Sequence, residues 1–383
     1  MATTYKSFLS NDIATTRTLL HEAIPITGSI ISGTYNPGEP ALGSETNIKT
    51  YGHGMFESVY DYPYLSSSAN HIFDITCGFS SNSANSGTTA LHTQVAKKIN
   101  IYNEMAQYLV GYDHTGTIKQ FRLPSTDVVM KDCYFIPFSR LLSKDEIKKG
   151  SFTLELTPSG NIAFNHLDTK FDERIKLTDT SGSSGYHVDS PAGEYGELFA
   201  STSAGAVVTL QGETLGNALT NPAVGLLYYQ AGVAVLSGGI FTKDAGFLNA
   251  AAGGFPNNPH VADVGGNTCL GYDIAVTGAT IQQMSDGLRN RIYDISYNNT
   301  TELNSTIYFC RANHNDFNYS SNPTYLTGSK LRVKTRAADA PVTYITTVGL
   351  YSADNELLAV AKLSEPLRKD PTNELTLRVR LDY

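Results

Sequence analysis

The cleanest patterning lies at the end of the chain. In ELTLRVRLDY, Leu375, Leu377, Val379 and Leu381 alternate with Thr376, Arg378, Arg380 and Asp382. A period of two predicts a strand with one buried and one wet face. Just upstream, VTYITTVGLYSADNELLAVAKLSEPL holds two strand-like runs, 344–351 and 356–363, split by Ser352-Ala353-Asp354-Asn355. Two such runs about a short polar loop predict an antiparallel hairpin. Both runs are almost continuously apolar, which predicts cover on both faces, part of it from the terminal strand.

Helical periodicity is strongest over 88–109, TTALHTQVAKKINIYNEMAQYL. There Leu91, Val95, Ile99, Tyr102, Met105, Ala106 and Leu109 recur at spacings of three and four, with Lys97 and Lys98 on the opposite face and Gly111 as the stop. Shorter helices are expected over 10–23, capped by Ser or Asn and stopped before Pro25, and over 277–292, where Ile281, Met284, Leu288 and Ile292 line up. Ser143-Lys-Asp-Glu146 has the form of a capping box, with Gly150 ending its helix. Strands are expected at 55–60, 133–138, 152–156, 295–297, 306–311 and 330–334. A further hairpin is expected over 225–241 around Gln230-Ala231-Gly232.

These elements add up to an α+β fold, mainly antiparallel β with about three helices and a β-rich, loop-rich insertion. Residues 1–70 read as an N-terminal helix and extended loop arm. Residues 71–160 and 279–383 read as the core, ending in the hairpin and terminal strand. Residues 161–278, crowded with Gly, Ala and Ser, read as the insertion.

A net charge of −8 with scattered Lys and Arg argues against a nucleic-acid partner. The opening MATTYKSFLSNDIATT has neither the basic nor the apolar region of a secretory signal, and no apolar run approaches the roughly 20 residues that cross a bilayer. Cys77, Cys133, Cys269 and Cys310 lie far apart, so free, mostly buried thiols and folding in a reducing cytosol are expected. Trp is absent while Tyr numbers 23, and tyrosine is both a sheet aromatic and a favoured contact residue. Candidate interface residues are Tyr60, Tyr62, Tyr64, Tyr228, Tyr229, Phe317, Tyr319 and Tyr325. GxSxG, GxxxxGK[ST], GxGxxG and HExxH do not occur, and no catalytic, cofactor or metal residue is assigned. His314 and Asp316, within ANHNDFNYSSNPTY, read as a hydrogen-bonded loop rather than a metal pair.

MFESVYDYPYLSSSANHIFDITCGF, KKINIYNEMAQYLVGYD, ELNSTIYFCRANHNDFNYSSNPTYL and the C-terminal stretch ending LRVRLDY resemble virion structural proteins of marine, contractile-tailed phages related to the cyanophage group. The likeness covers roughly the first 150 and the last 90 residues, and the middle only in SGYHVDSPAGEYGELFA and GLLYYQAGVAVLSGGIF. It implies a non-enzymatic particle component without cofactors, assembled in the host bacterial cytoplasm and resident in the virion. Its implied partners are other virion proteins and copies of itself in a symmetric assembly, without direct nucleic-acid contact or membrane insertion. VGLYSADNELLAVAKLSEP is also similar to the strand pair of tail-fibre attachment domains, which favours the tail side, baseplate or neck, over a capsid or decoration protein. A receptor- or glycan-binding tail protein, with exposed tyrosines stacking on host-surface sugars, is the other expectation kept open.

Overall fold

The computed structural model describes residues 5–25, 47–62, 64–87, 92–156, 175–202, 209–210, 219–220, 223–241, 276–289, 292–319, 326–327, 330–331, 336, 338 and 340–383. It is a mainly antiparallel β structure with few helices, the α+β class expected. A 3-10 turn at Ser10–Asp12 precedes β1 (Ile13–Pro25), β2 (Ile48–Thr50), β3 (Glu57–Tyr60), β4 (His71–Phe79) and helix α1 (Val95–Leu109). Then come β5 (Asp132–Pro137), the short helix α2 (Arg140–Ser143) and β6 (Thr153–Leu156). The middle of the chain supplies β7 (Ile175–Thr178), β8 (His187–Ser190), β9 (Gly193–Thr202), β10 (Ala223–Tyr228) and β11 (Val233–Ser237). Helix α3 (Ile281–Arg289) and the long β12 (Ile292–Ala312) lead to β13 (Thr343–Tyr351), β14 (Leu357–Lys369) and β15 (Leu375–Asp382). Two compact units result, His21–Thr301, and Met1–Leu20 with Glu302–Tyr383, so the division falls inside β1 and inside β12.

In the unit His21–Thr301 the start of β12 is followed across the sheet by β6, β7, β9, β10, β11, β5, β4, β3 and β2, every neighbouring pair antiparallel. β10 and β11, AVGLLY and VAVLS, form the hairpin that the sequence predicts and are buried at every position, because runs without a polar side need cover on both faces. They stand in the middle of the sheet, within the segment 161–278. Helix α1 crosses β4 at Gly78. A Cβ there would lie 2.5 Å from the Lys98 carbonyl oxygen and 2.9 Å from the Tyr102 nitrogen, so glycine is what lets helix and strand approach. Helix α3 reaches the same strand, Ser285 Oγ donating to the Ile75 carbonyl at 3.1 Å. Ring contacts fill the spaces between, with Tyr102, Phe121 and Phe135 in one group and Phe138, Phe152 and Tyr297 in another.

Helix α1 begins at Val95; residues 88–91 of the predicted helix, Leu91 among them, lie outside the described residues, and 92–94 are not helical. Gln94 takes a left-handed conformation (φ 55°) and its side-chain oxygen accepts from Ile281 N, so the chain turns there instead of propagating a helix. Lys98, expected on the solvent face, is fully buried. Its Nζ donates to the carbonyls of Thr93 (2.9 Å), Val276 (2.5 Å) and Ala279 (2.6 Å), so the buried ammonium has three backbone acceptors. Burial pushes the Lys98 ammonium down, and it pushes the neighbouring Cys77 thiol up to about 12. The capping box also fails. Ser143 is the last residue of α2 rather than the cap of a following helix, and Glu146–Ile147 is extended and pairs with Thr300 and Asn299 of β12. The helix predicted to run to residue 292 stops at Arg289, and Ile292 opens β12.

In the unit Met1–Leu20 with Glu302–Tyr383, β12 pairs antiparallel with β15, from Ser305 opposite Asp382 to Ala312 opposite Leu375. The predicted alternation holds, with the leucines and Val379 half-buried and Thr376, Arg378, Arg380 and Asp382 exposed. The strand therefore lines β12 and is not the cover expected for the hairpin. The helix predicted over 10–23 is wrong: after one 3-10 turn these residues enter β1. Thr15, Thr16 and Thr18 favour an extended chain, and Asp12 and Arg17 are fixed by ion pairs to Arg311 and Glu302. Cys77, Cys133 and Cys310 are free thiols, the first two buried; Cys269 lies outside the described residues. Of the strand expected over 330–334, Lys330–Leu331 is described, paired with Leu326–Thr327.

Candidate functional site

The C-terminal hairpin is built from its turn outward. Ser352 Oγ accepts from the backbone N of Asp354 and of Glu356, each at 3.2 Å, while Asn355 supplies the left-handed residue (φ 63°) that closes the loop. The register then sets Tyr351 opposite Leu357, Leu350 opposite Ala359, Gly349 opposite Val360 and Val348 opposite Ala361. At its base Thr343 and Lys369 pair and are both buried. Lys369 Nζ donates to the carbonyls of His314 (3.2 Å) and Asp370 (2.9 Å) and to Asn318 Oδ1 (2.6 Å), which clamps the turn 313–319 against the strand. Lys6 adds an ion pair to Asp316 at 2.5 Å. The His314 segment is thus a hydrogen-bonded loop, as expected.

Among the described residues nothing supplies the cover expected for both faces of this hairpin. No residue from Tyr344 to Arg368 is buried. Tyr344, Tyr351, Leu357, Leu358 and Val360 are exposed, Leu358 by 62 %. Tyr5 leans on Tyr351 with ring centroids 5.0 Å apart, and Phe317 and Tyr319 are exposed on the clamped turn of the same unit. A lone two-stranded ribbon is marginal in water, and clustered exposed apolar side chains mark contact surfaces.

The other interface candidates separate into three groups. Tyr60 ends β3 in the other unit, and Tyr62 and Tyr64 follow it. The Tyr60 ring there meets those of Tyr64 and His71, and Tyr62 and Tyr64 are exposed. Tyr228 and Tyr229 are core side chains, 1 % and 0 % exposed, and offer no surface. Tyr229 fits because Gly196 and Gly182 have no side chain: a Cβ on either would stand 2.2 Å from its hydroxyl. Tyr325 lies outside the described residues.

A cavity of about 540 Å³ opens in the unit His21–Thr301, within the range of small-molecule pockets. The end of α1 and the loop after it contribute Leu109, Asp113, Ile118 and Lys119; β8 and β9 contribute His187, Asp189 and Tyr195. The rings of His187, Tyr195 and Tyr228 stack in series, with centroids 5.2 and 5.1 Å apart. Tyr195 donates its hydroxyl to Asp189 Oδ1 at 2.8 Å, and burial pushes the phenols of both tyrosines upward. The Thr115 hydroxyl, with the backbone N–H groups of Thr115 and Thr117, holds the Asp113 carboxyl below its usual range. None of His187, Asp189 and Tyr195 was singled out in the sequence. The available signal was the Ser190-Pro-Ala-Gly193 turn, with His187 three residues before it and Tyr195 two after; a register shift between them makes His187 and Tyr195 a direct cross-strand pair.

Among the described residues no group of three or more His, Cys, Asp or Glu is placed to hold a metal ion, and no helix is long and apolar enough to cross a membrane. No protein-family model, no curated protein and no solved structure matches this chain.

Proposed function

We propose that this chain is a non-enzymatic structural subunit of a tailed-phage particle, held on the tail side, at the baseplate or neck, by β-rich contacts. Its partners in this reading are other virion proteins and further copies of itself, and it reaches the virion from the host cytoplasm where it folds. The observation that carries the reading is the hairpin β13–β14, an apolar two-stranded ribbon without a buried residue between Tyr344 and Arg368. Such a ribbon gains its full burial when a neighbour covers it, and among the described residues no third strand pairs with either of its edges. The likeness of the surrounding sequence to virion proteins supplies the kind of neighbour.

The test is immunogold labelling of intact particles of the phage that encodes the chain. Gold at the tail tip or neck is the expected result. Gold spread over the head would replace the tail-side placement by a capsid or decoration role, and unlabelled particles together with labelled cell lysate would remove the virion reading altogether.

A further inference from the structure

We propose that the cavity beside the His187–Tyr195–Tyr228 stack binds a neutral saccharide. This inference stands apart from the assembly reading, since it rests on a different unit of the chain and on different residues. Tyr228 is almost wholly buried yet reaches the cavity wall, and its hydroxyl makes no hydrogen bond among the described residues. The imidazole of His187, the side-chain amide of Asn82 and the ammonium of Lys119 line the same space and are likewise without hydrogen-bond partners there. The Tyr228 hydroxyl is not one of the wholly buried oxygens left without a partner, so it opens to the cavity, where a ligand that both donates and accepts can take the place of water.

The rest of the wall selects the ligand class. Two cations, Lys119 and Arg122, face two carboxylates, Asp113 and Asp189, so the cavity carries no net charge to favour an anion. Arg122 is moreover already bonded to Asp127 at 2.6 Å, and Asp189 accepts from Tyr195. Leu109, Ile118 and Leu226 add apolar surface between these polar groups. A molecule that matches alternating apolar and two-way hydrogen-bonding surface, without charge, is a sugar ring with its C–H faces and hydroxyls. A nucleotide or other polyanion would meet the carboxylates, and a purely apolar ligand would leave the polar groups unpaired.

The probe is a glycan array holding neutral and acidic oligosaccharides, read with the full-length chain and with Tyr228→Phe, His187→Ala and Tyr62→Ala variants. Binding of one or more neutral oligosaccharides is expected, weakened about tenfold or more by Tyr228→Phe and by His187→Ala and unchanged by Tyr62→Ala. Tyr228→Phe removes an oxygen that has no hydrogen-bond partner among the described residues, so its melting temperature should match that of the wild type; His187→Ala gives the same reading should it not. No binding above background overturns the proposal. So does binding confined to acidic glycans, or binding lost in Tyr62→Ala but kept in Tyr228→Phe, which would place the sugar on the exposed tyrosines instead.

Discussion

Asp179 is a buried carboxylate whose oxygens accept from the backbone N of Gly150 (2.7 Å) and Phe152 (2.9 Å), tying the entry to β6 against the end of β7. Burial raises it from 3.8 to about 6, outweighing the lowering by those two N–H groups. The folded state therefore holds this proton more tightly than the unfolded chain does. Its contribution to stability is complete below about pH 4 and is lost as the pH rises through about 6, an amount of about 3 kcal/mol. Asp179→Asn cannot titrate and keeps an oxygen for one of the two donors. Urea unfolding of both proteins at pH 4 and pH 7 should show the wild type losing about 3 kcal/mol relative to the variant. A difference that does not change with pH would show that the carboxylate is solvated in the fold. Neither this site nor Lys98 was legible in the sequence, because burial of a charged side chain is set by what packs over it. For Lys98 those are carbonyls of residues 276 and 279, distant in the chain.

At the scale of elements, the periodicities that specify a strand by itself were legible and those that need a partner were not. β15 has its alternation, and the two hairpins have their turn residues and flanking apolar runs, in a single stretch, and they form where expected. Residues 13–23 carry helix-like end signals beside β-branched threonines that favour an extended chain, and pairing with β12 makes them a strand. The hairpin β13–β14 carries the element-level prediction. Leu357→Asp with Val360→Asp places charge on exposed positions, so the melting temperature should stay close to that of the wild type. If the ribbon is the contact between copies, the wild type sediments as concentration-dependent oligomers and the double variant as a monomer at the same concentrations. Identical sedimentation of the two proteins would remove the ribbon as that contact.

At the scale of the molecule, each unit has a buried lysine that satisfies backbone or amide oxygens: Lys98 in His21–Thr301, and Lys369 in the unit that contains Glu302–Tyr383. The oxygens that the two ammonium groups bond do not overlap. Lys98→Met removes three hydrogen bonds to carbonyls and should cost about 3 kcal/mol, and Lys369→Met a similar amount. In the double variant the two losses should add to within about 0.5 kcal/mol by chemical denaturation; a larger coupling would mean that the two clamps share structure. The sequence by itself determined the fold class, the hairpins, the terminal strand and the apolar stripe of α1, since these follow from turn chemistry and from side-chain period along a continuous stretch. The tertiary structure alone decided that β10 and β11 occupy the middle of a sheet, that the C-terminal hairpin stands uncovered, that Tyr228 and Tyr229 are core, and that His187, Tyr195 and Tyr228 line one cavity. Each of these depends on which distant segment lies alongside, and local patterning carries no record of that.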